Sequence, residues 1–144
     1  MDMPTATLAH KPTAVLAVHA NALLTALKAS HAWVAAFNRG ELDYCADTYT
    51  PSALLEAKPF GTYAGREAIR SFWLELMSKG AKELNYECIK AEQLDAQTVL
   101  LSASWTMNIG GGVITLERWE DHNGQWMLAE DRFEVLSMVP PAQG

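Results

Sequence analysis

The sequence predicts an α+β domain with N-terminal helices packed in a strongly curved, mainly antiparallel sheet. Two observations carry that prediction. Over the first half of the chain apolar residues recur at helical spacing, and from residue 84 onward they alternate along four successive runs joined by turn-like segments. A chain of 144 residues holds one such domain, burying roughly two thirds of the surface its unfolded form exposes.

Residues 1–11 read as a loose tail, after which Pro12 and Thr13 open a helix running to about Asn38. Its apolar positions are Leu16, Ala20, Leu23, Leu24, Leu27, His31, Val34 and Phe37, and Asn38, Arg39 and Gly40 stop it. GELDYCADTYT is a second, short helix with Leu42, Cys45, Ala46 and Tyr49 on one side, ended by Thr50 and Pro51. A strand over Ala53 to Ala57, a turn at KPFG and a short return TYA follow. Gly65 then precedes a third helix, where Ile69, Phe72, Trp73, Leu76 and Met77 form a wide apolar stripe before Gly80.

The pattern next changes to period two. LNYECIKAEQL, TVLLSASWTMNI, GVITLERWED and WMLAEDRFEVL are four strands, joined by LDAQ, by the glycines at 110–112 and by HNG at 122–124. The domain spans 12–137, and residues 138–144 are a second tail.

Bulk chemistry excludes several classes of function. Eleven basic against seventeen acidic residues give a net charge of −6, with the basic residues scattered, so nucleic acid is not an expected partner. The chain lacks both a membrane-spanning apolar run and a basic leader feeding an apolar core, and it reads as soluble and cytoplasmic. His10, His19, His31 and His122 have no metal-site spacing, so neither a metal nor another cofactor is expected. Cys45 and Cys88 lie in apolar contexts and read as small buried hydrophobes in a reducing compartment, with a disulfide left open. Five tryptophans are many for this length and favour a walled pocket or a buried interface.

The order helix, helix, hairpin, G-R-E-A-I-R helix and four antiparallel strands, with the anchors AFNRGELD, YTPSALLE, GTYAGREAIRSFW and ERWEDHNGQWMLAEDRF, resembles the nuclear transport factor 2-like superfamily. SnoaL-like (polyketide-cyclase-like) and ketosteroid-isomerase-like members come nearest. The resemblance covers about residues 20 to 136. It implies a cystatin-like, cone-shaped α+β barrel whose mouth holds a small hydrophobic molecule, commonly paired as a homodimer through the sheet. Function does not follow from this fold, which hosts isomerases, dehydratases, cyclases and noncatalytic modules.

Ketosteroid isomerases carry a base on the strand before the G-R-E helix. Counting back from Gly65 puts Glu56 there, and counting forward from Gly40 puts Ala57 there, so both registers stay open. Their oxyanion hole of a tyrosine and a protonated aspartic acid, a worked example of pKa tuning, falls here on Trp33 and Thr115. Neither keeps that chemistry, so steroid isomerisation of the usual kind is not expected.

Glu56, inside the apolar run ALLEA, is either a desolvated base or a solvent-facing acid paired with Lys58. On the last strand Met127, Ala129, Asp131, Phe133 and Val135 share a face, and the resemblance turns that face toward the pocket. Asp131 is then the leading candidate for a buried working carboxyl, against a structural acid held by an arginine. The preceding strand groups Val113, Thr115, Glu117 and Trp119, which the resemblance sends to the same side. Two nearby carboxyls would push one pKa upward. Trp33, Tyr49, Phe72 and Trp73 either wall an aromatic pocket or are plain core. Two functions therefore stand: cofactor-free proton transfer on a hydrophobic small molecule by Glu56 or Asp131, or a noncatalytic ligand-binding or dimerisation module.

Overall fold

The computed structural model describes residues 22–138. Helix α1 covers 22–38, α2 Leu42–Thr48 and α3 Arg66–Ser78. The strands are β1 Tyr49–Lys58, β2 Gly61–Ala64, β3 Asn85–Asp95, β4 Thr98–Met107, β5 Gly110–His122 and β6 Gln125–Met138. They form one curved sheet of order β2-β1-β6-β5-β4-β3, in which β1 runs parallel to β6 and every other pair is antiparallel. The α+β class is as the sequence predicts. The expected first tail, the expected helix start at Pro12 and residues 139–144 of the second tail lie outside the described residues, whereas Met138, expected in that tail, ends β6.

Helix α1 buries a narrower stripe than its leucines suggest. Ala22, Ala26, Ser30, Trp33 and Phe37 are buried, whereas Leu23, Leu27 and Val34 are half-buried, Leu24 is 51% exposed and His31 is exposed. Alanines let the helix backbone come close to its neighbours, and the bulk of the packing arrives at Trp33 and Phe37. These two rings stack at 5.6 Å and meet Trp73 of α3 edge-on at 5.1 and 5.6 Å. The core around them, with Tyr49, Ile69 and Trp119, joins the helices to one face of the sheet.

Helix α2 ends at Thr48, two residues before the expected stop at Thr50, and Tyr49, expected on the helix, opens β1. Proline is tolerated at Pro51 because the β1–β6 pairing is irregular between Tyr49 and Leu54. Cys88 is exposed on β3, so the expectation of two buried cysteines holds only for Cys45, and both thiols are free.

The three glycines do not form a turn. All three belong to β5, and the turn is Asn108–Ile109, with the Asn108 side chain bonded to Gly80 O at 2.8 Å and to the Lys82 N–H at 2.9 Å. Glycine is required by close backbone approach: a Cβ on Gly112 would lie 1.9 Å from Glu134 O, and one on Gly110 2.4 Å from Ser137 O. The last hairpin does turn where expected, with Asn123 at φ 56° and Gly124 at φ 90°.

Replacing Gly112 by Ala forces β5 away from β6 and is expected to destabilise the fold by at least ~2 kcal/mol. Urea denaturation of wild type and Gly112→Ala measures this as a lowered midpoint.

Candidate active site

Alternation alone does not place the inward residues of β5 and β6, because each strand carries an extra residue. Between Ile114 and Leu116, β5 advances two positions while β6 advances one, so Thr115 is bulged out. Between Arg118 and Trp119 the reverse happens, and Ala129 is the extra residue on β6. Each bulge switches the face that follows. Ile114, Glu117 and Trp119 are buried together on β5, and Leu128 and Asp131 on β6.

Two expectations are corrected by this register. Thr115 is exposed and donates its hydroxyl to Arg132 O at 3.2 Å, outside the site. Leu128, not Met127 or Ala129, faces the core beyond Asp131. Along β1 from Ala53 onward the buried residues are Ala53, Leu55 and Ala57, which turns Glu56 to the opposite face. There Glu56 pairs with Arg132 at 3.2 Å and with Lys58 at 4.0 Å. The register left open in the sequence resolves to Ala57 on the inner face, and Glu56 is not a pocket acid.

Glu117 and Asp131 face each other across β5 and β6 and are 2% and 5% exposed. Three donors converge on Glu117: Ser30 Oγ of α1 at 3.1 Å, Tyr86 Oη of β3 at 2.8 Å and Trp119 Nε1 at 2.8 Å. Asp131 receives one, from Tyr49 Oη to Oδ2 at 2.7 Å. Burial raises both carboxyls, and the neighbouring Glu117 charge raises Asp131 further, to about 8, against the opposing Tyr49 bond. The three donors oppose the upward shift of Glu117, whereas Asp131 has one, so within the pair Glu117 holds negative charge more readily and Asp131 holds a proton more readily.

The proton's position follows from hydrogen-bond direction. Trp73 Nε1 lies 3.1 Å from Tyr49 Oη and can only donate, so Tyr49 accepts from it and gives its own hydrogen to Asp131 Oδ2. Among the described residues no hydrogen bond reaches Oδ1, which leaves that oxygen open to carry a proton. Desolvation and the adjacent carboxyls also raise the phenols of Tyr49 and Tyr86 well above their ordinary value, keeping both protonated.

Beside the pair opens an apolar cleft of about 580 Å³, including its mouth. Asp131 is the only carboxyl lining it among the described residues. Of the residues expected in a pocket, Trp33, Trp73 and Phe133 line the cleft, as does Phe72, while Tyr49 and Glu117 stand behind Asp131 and act on it through hydrogen bonding and charge. Sequence reasoning missed Trp105, Tyr86 and Leu84, which also line it. The regular alternation Val99, Leu101, Ala103, Trp105 along β4 was the signal for Trp105. No group of three or more His, Cys, Asp or Glu is arranged to hold a metal among the described residues.

The family model described as "SnoaL-like domain" matches residues 31–133. Among solved structures, the chain is similar to a putative scytalone dehydratase from Novosphingobium aromaticivorans, with TM-score 0.72 and 10% identity over 92% of this chain and 93% of that one. It is also similar to a ketosteroid isomerase-like protein from Erwinia carotovora atroseptica, with TM-score 0.69 and 19% identity over 80% and 96% of the two chains. A Nostoc punctiforme protein of unknown function with a cystatin-like fold aligns at TM-score 0.68, 13% identical over 79% and 90%. At these identities the likeness is one of fold. No curated protein matches the chain.

Two outcomes follow from the carboxyl pair. Tyr49→Phe removes the bond that opposes the upward shift, so the Asp131 pKa is expected to rise above its value of about 8, as followed by carboxyl-carbon NMR titration. The same change unpairs Trp73 Nε1 and costs about 2 kcal/mol. A second outcome concerns pH and stability. Asp131 titrates near 3.8 ordinarily and near 8 when folded, so between these values the folded state binds more protons than the unfolded one. Stability from this group is full below the lower value and declines as pH rises toward the upper. Wild type should lose urea resistance between pH 5 and pH 8, and Asp131→Asn should show a flatter profile.

Proposed function

This chain belongs to the SnoaL-like domain family, and from that premise we propose that it binds a hydrophobic small molecule and performs acid–base chemistry on it without a cofactor. One observation carries the reading: a neutral, protonated carboxyl, Asp131, lines an otherwise apolar, aromatic-walled cleft. Such a group donates a hydrogen bond to a substrate carbonyl at neutral pH and stabilises the charge developing on its oxygen, while solvent at the cleft mouth takes the α-hydrogen as a proton and the C–H electron pair enters the enolate. Glu117, already satisfied by three donors, keeps Asp131 protonated and takes no proton itself. Tyr49 and Trp73 aim the proton. The reaction class is enolisation leading to isomerisation, cyclisation or dehydration.

The carbonyl compound 2-tetralone tests this, because exchange of its α-hydrogens with deuterium reports enolisation directly. Wild type is expected to accelerate exchange at pH 7, with the rate falling above about pH 8 as Asp131 loses its proton. Asp131→Asn should lose about 100-fold of that acceleration. A noncatalytic binding module would bind 2-tetralone and leave the exchange rate at its protein-free value.

Assembly as a homodimer through the sheet belongs to the same reading. Exposed Ile89 and Leu94 on β3 and Leu136 on β6 supply apolar surface for it. Light scattering at micromolar concentration should return twice the 15.8 kDa chain mass. The two free thiols fit a cytoplasmic protein.

A further inference from the structure

Among the described residues, Trp105 Nε1 is the only buried side-chain nitrogen or oxygen without a hydrogen-bond partner. Three other indoles show how unusual that is here. Trp33 donates to Cys45 O at 3.1 Å, Trp73 to Tyr49 Oη at 3.1 Å and Trp119 to Glu117 at 2.8 Å. Trp105 is 6% exposed, and it lines the cleft. A buried donor left unpaired is costly, and in native proteins it calls for a specific explanation.

The register of the sheet places this donor relative to Asp131. Asp131, Glu117 and Leu101 form one row of inward residues across β6, β5 and β4. Phe133, Ile114 and Ala103 form the next, and Val135, Gly112 and Trp105 the one after. Successive rows are roughly 7 Å apart along the strands. The Phe133 ring stands between the two polar positions, 6.0 Å from the Trp105 ring and edge-on to it. Trp105 thus lines the cleft on the far side of the Phe133 ring from Asp131, with its indole nitrogen buried and unpaired.

We propose that Trp105 is a specificity-determining donor for a second oxygen on the ligand, so that the cleft takes an elongated apolar ring compound with an oxygen function at each end. One oxygen meets Asp131, the rings lie along Phe133 and Trp73, and the far oxygen accepts from Trp105 Nε1. A ligand lacking that far acceptor leaves the indole unpaired and binds less tightly. This deepens the acid–base reading and rests on it for the role of Asp131.

Two probes that share a ring skeleton test it: 6-hydroxy-2-tetralone, with oxygen at both ends, and 2-tetralone, which lacks the far hydroxyl. Titrations are followed by the indole N–H resonances of uniformly nitrogen-15-labelled protein. Wild type is expected to bind the hydroxyketone roughly tenfold more tightly than 2-tetralone, with the Trp105 indole proton moving downfield only with the hydroxyketone. In Trp105→Phe that preference should vanish while both compounds still bind. Equal binding of the two probes by wild type overturns the proposal, as does a preference that survives in Trp105→Phe, or the absence of binding by either probe. The wild-type indole shift stands even if the variant misfolds. Failure of the acid–base reading is separable: wild type would keep the preference for the far hydroxyl and the indole shift while 2-tetralone exchange stayed at its protein-free rate.

Discussion

Two carboxyls, Glu117 and Asp131, are buried side by side on adjacent strands, and the structure around them favours charge on Glu117 over charge on Asp131. Leaving a lone buried carboxylate without partners would be prohibitive, and leaving two would be worse. Ser30 from α1, Tyr86 from β3 and Trp119 from β5 meet that constraint by surrounding Glu117. Parts of the fold distant in sequence are thereby tied to one oxygen pair. Asp131, with a single donor, stays neutral and faces the cleft.

The aromatic residues divide into two roles. Trp33, Phe37, Phe72 and Trp73 pack against one another with ring separations from 4.9 to 5.6 Å and hold the helices to the sheet. Their polar atoms do separate work. Trp73 fixes the direction in which Tyr49 gives its hydrogen, and that direction leaves the free oxygen of Asp131 to carry the acid proton. Packing and proton placement are thus coupled through the same side chains, so a substitution made for one alters the other.

Several elements were legible in the sequence because they depend on local chemistry. The hairpin at Asn123–Gly124, the helix after Gly65 and the period change near residue 84 each follow from a few neighbouring residues. Asp131 stood out as a charge on an apolar face, which survives in the structure because no bulge separates it from Phe133. Thr115 and Met127 were misplaced for the opposite reason: a bulge lies between each of them and Asp131's row. The glycine run at 110–112 had the composition of a turn, and only the proximity of the β6 backbone shows that it is a strand that can bear no side chain.

By itself the sequence determined the α+β class, the order of elements, the likeness carried by the G-R-E-A-I-R helix and final hairpin, and the candidacy of Asp131. These rest on periodicity, turn chemistry and residue type, all local properties. Only the tertiary structure decided that Glu56 lies on the outer face with Arg132, that Glu117 and Asp131 are buried face to face, and that Trp105 has an unpaired N–H. Each depends on strand register and on contacts between residues far apart in the chain. A one-residue slip or bulge reverses a strand's faces while barely altering its local pattern.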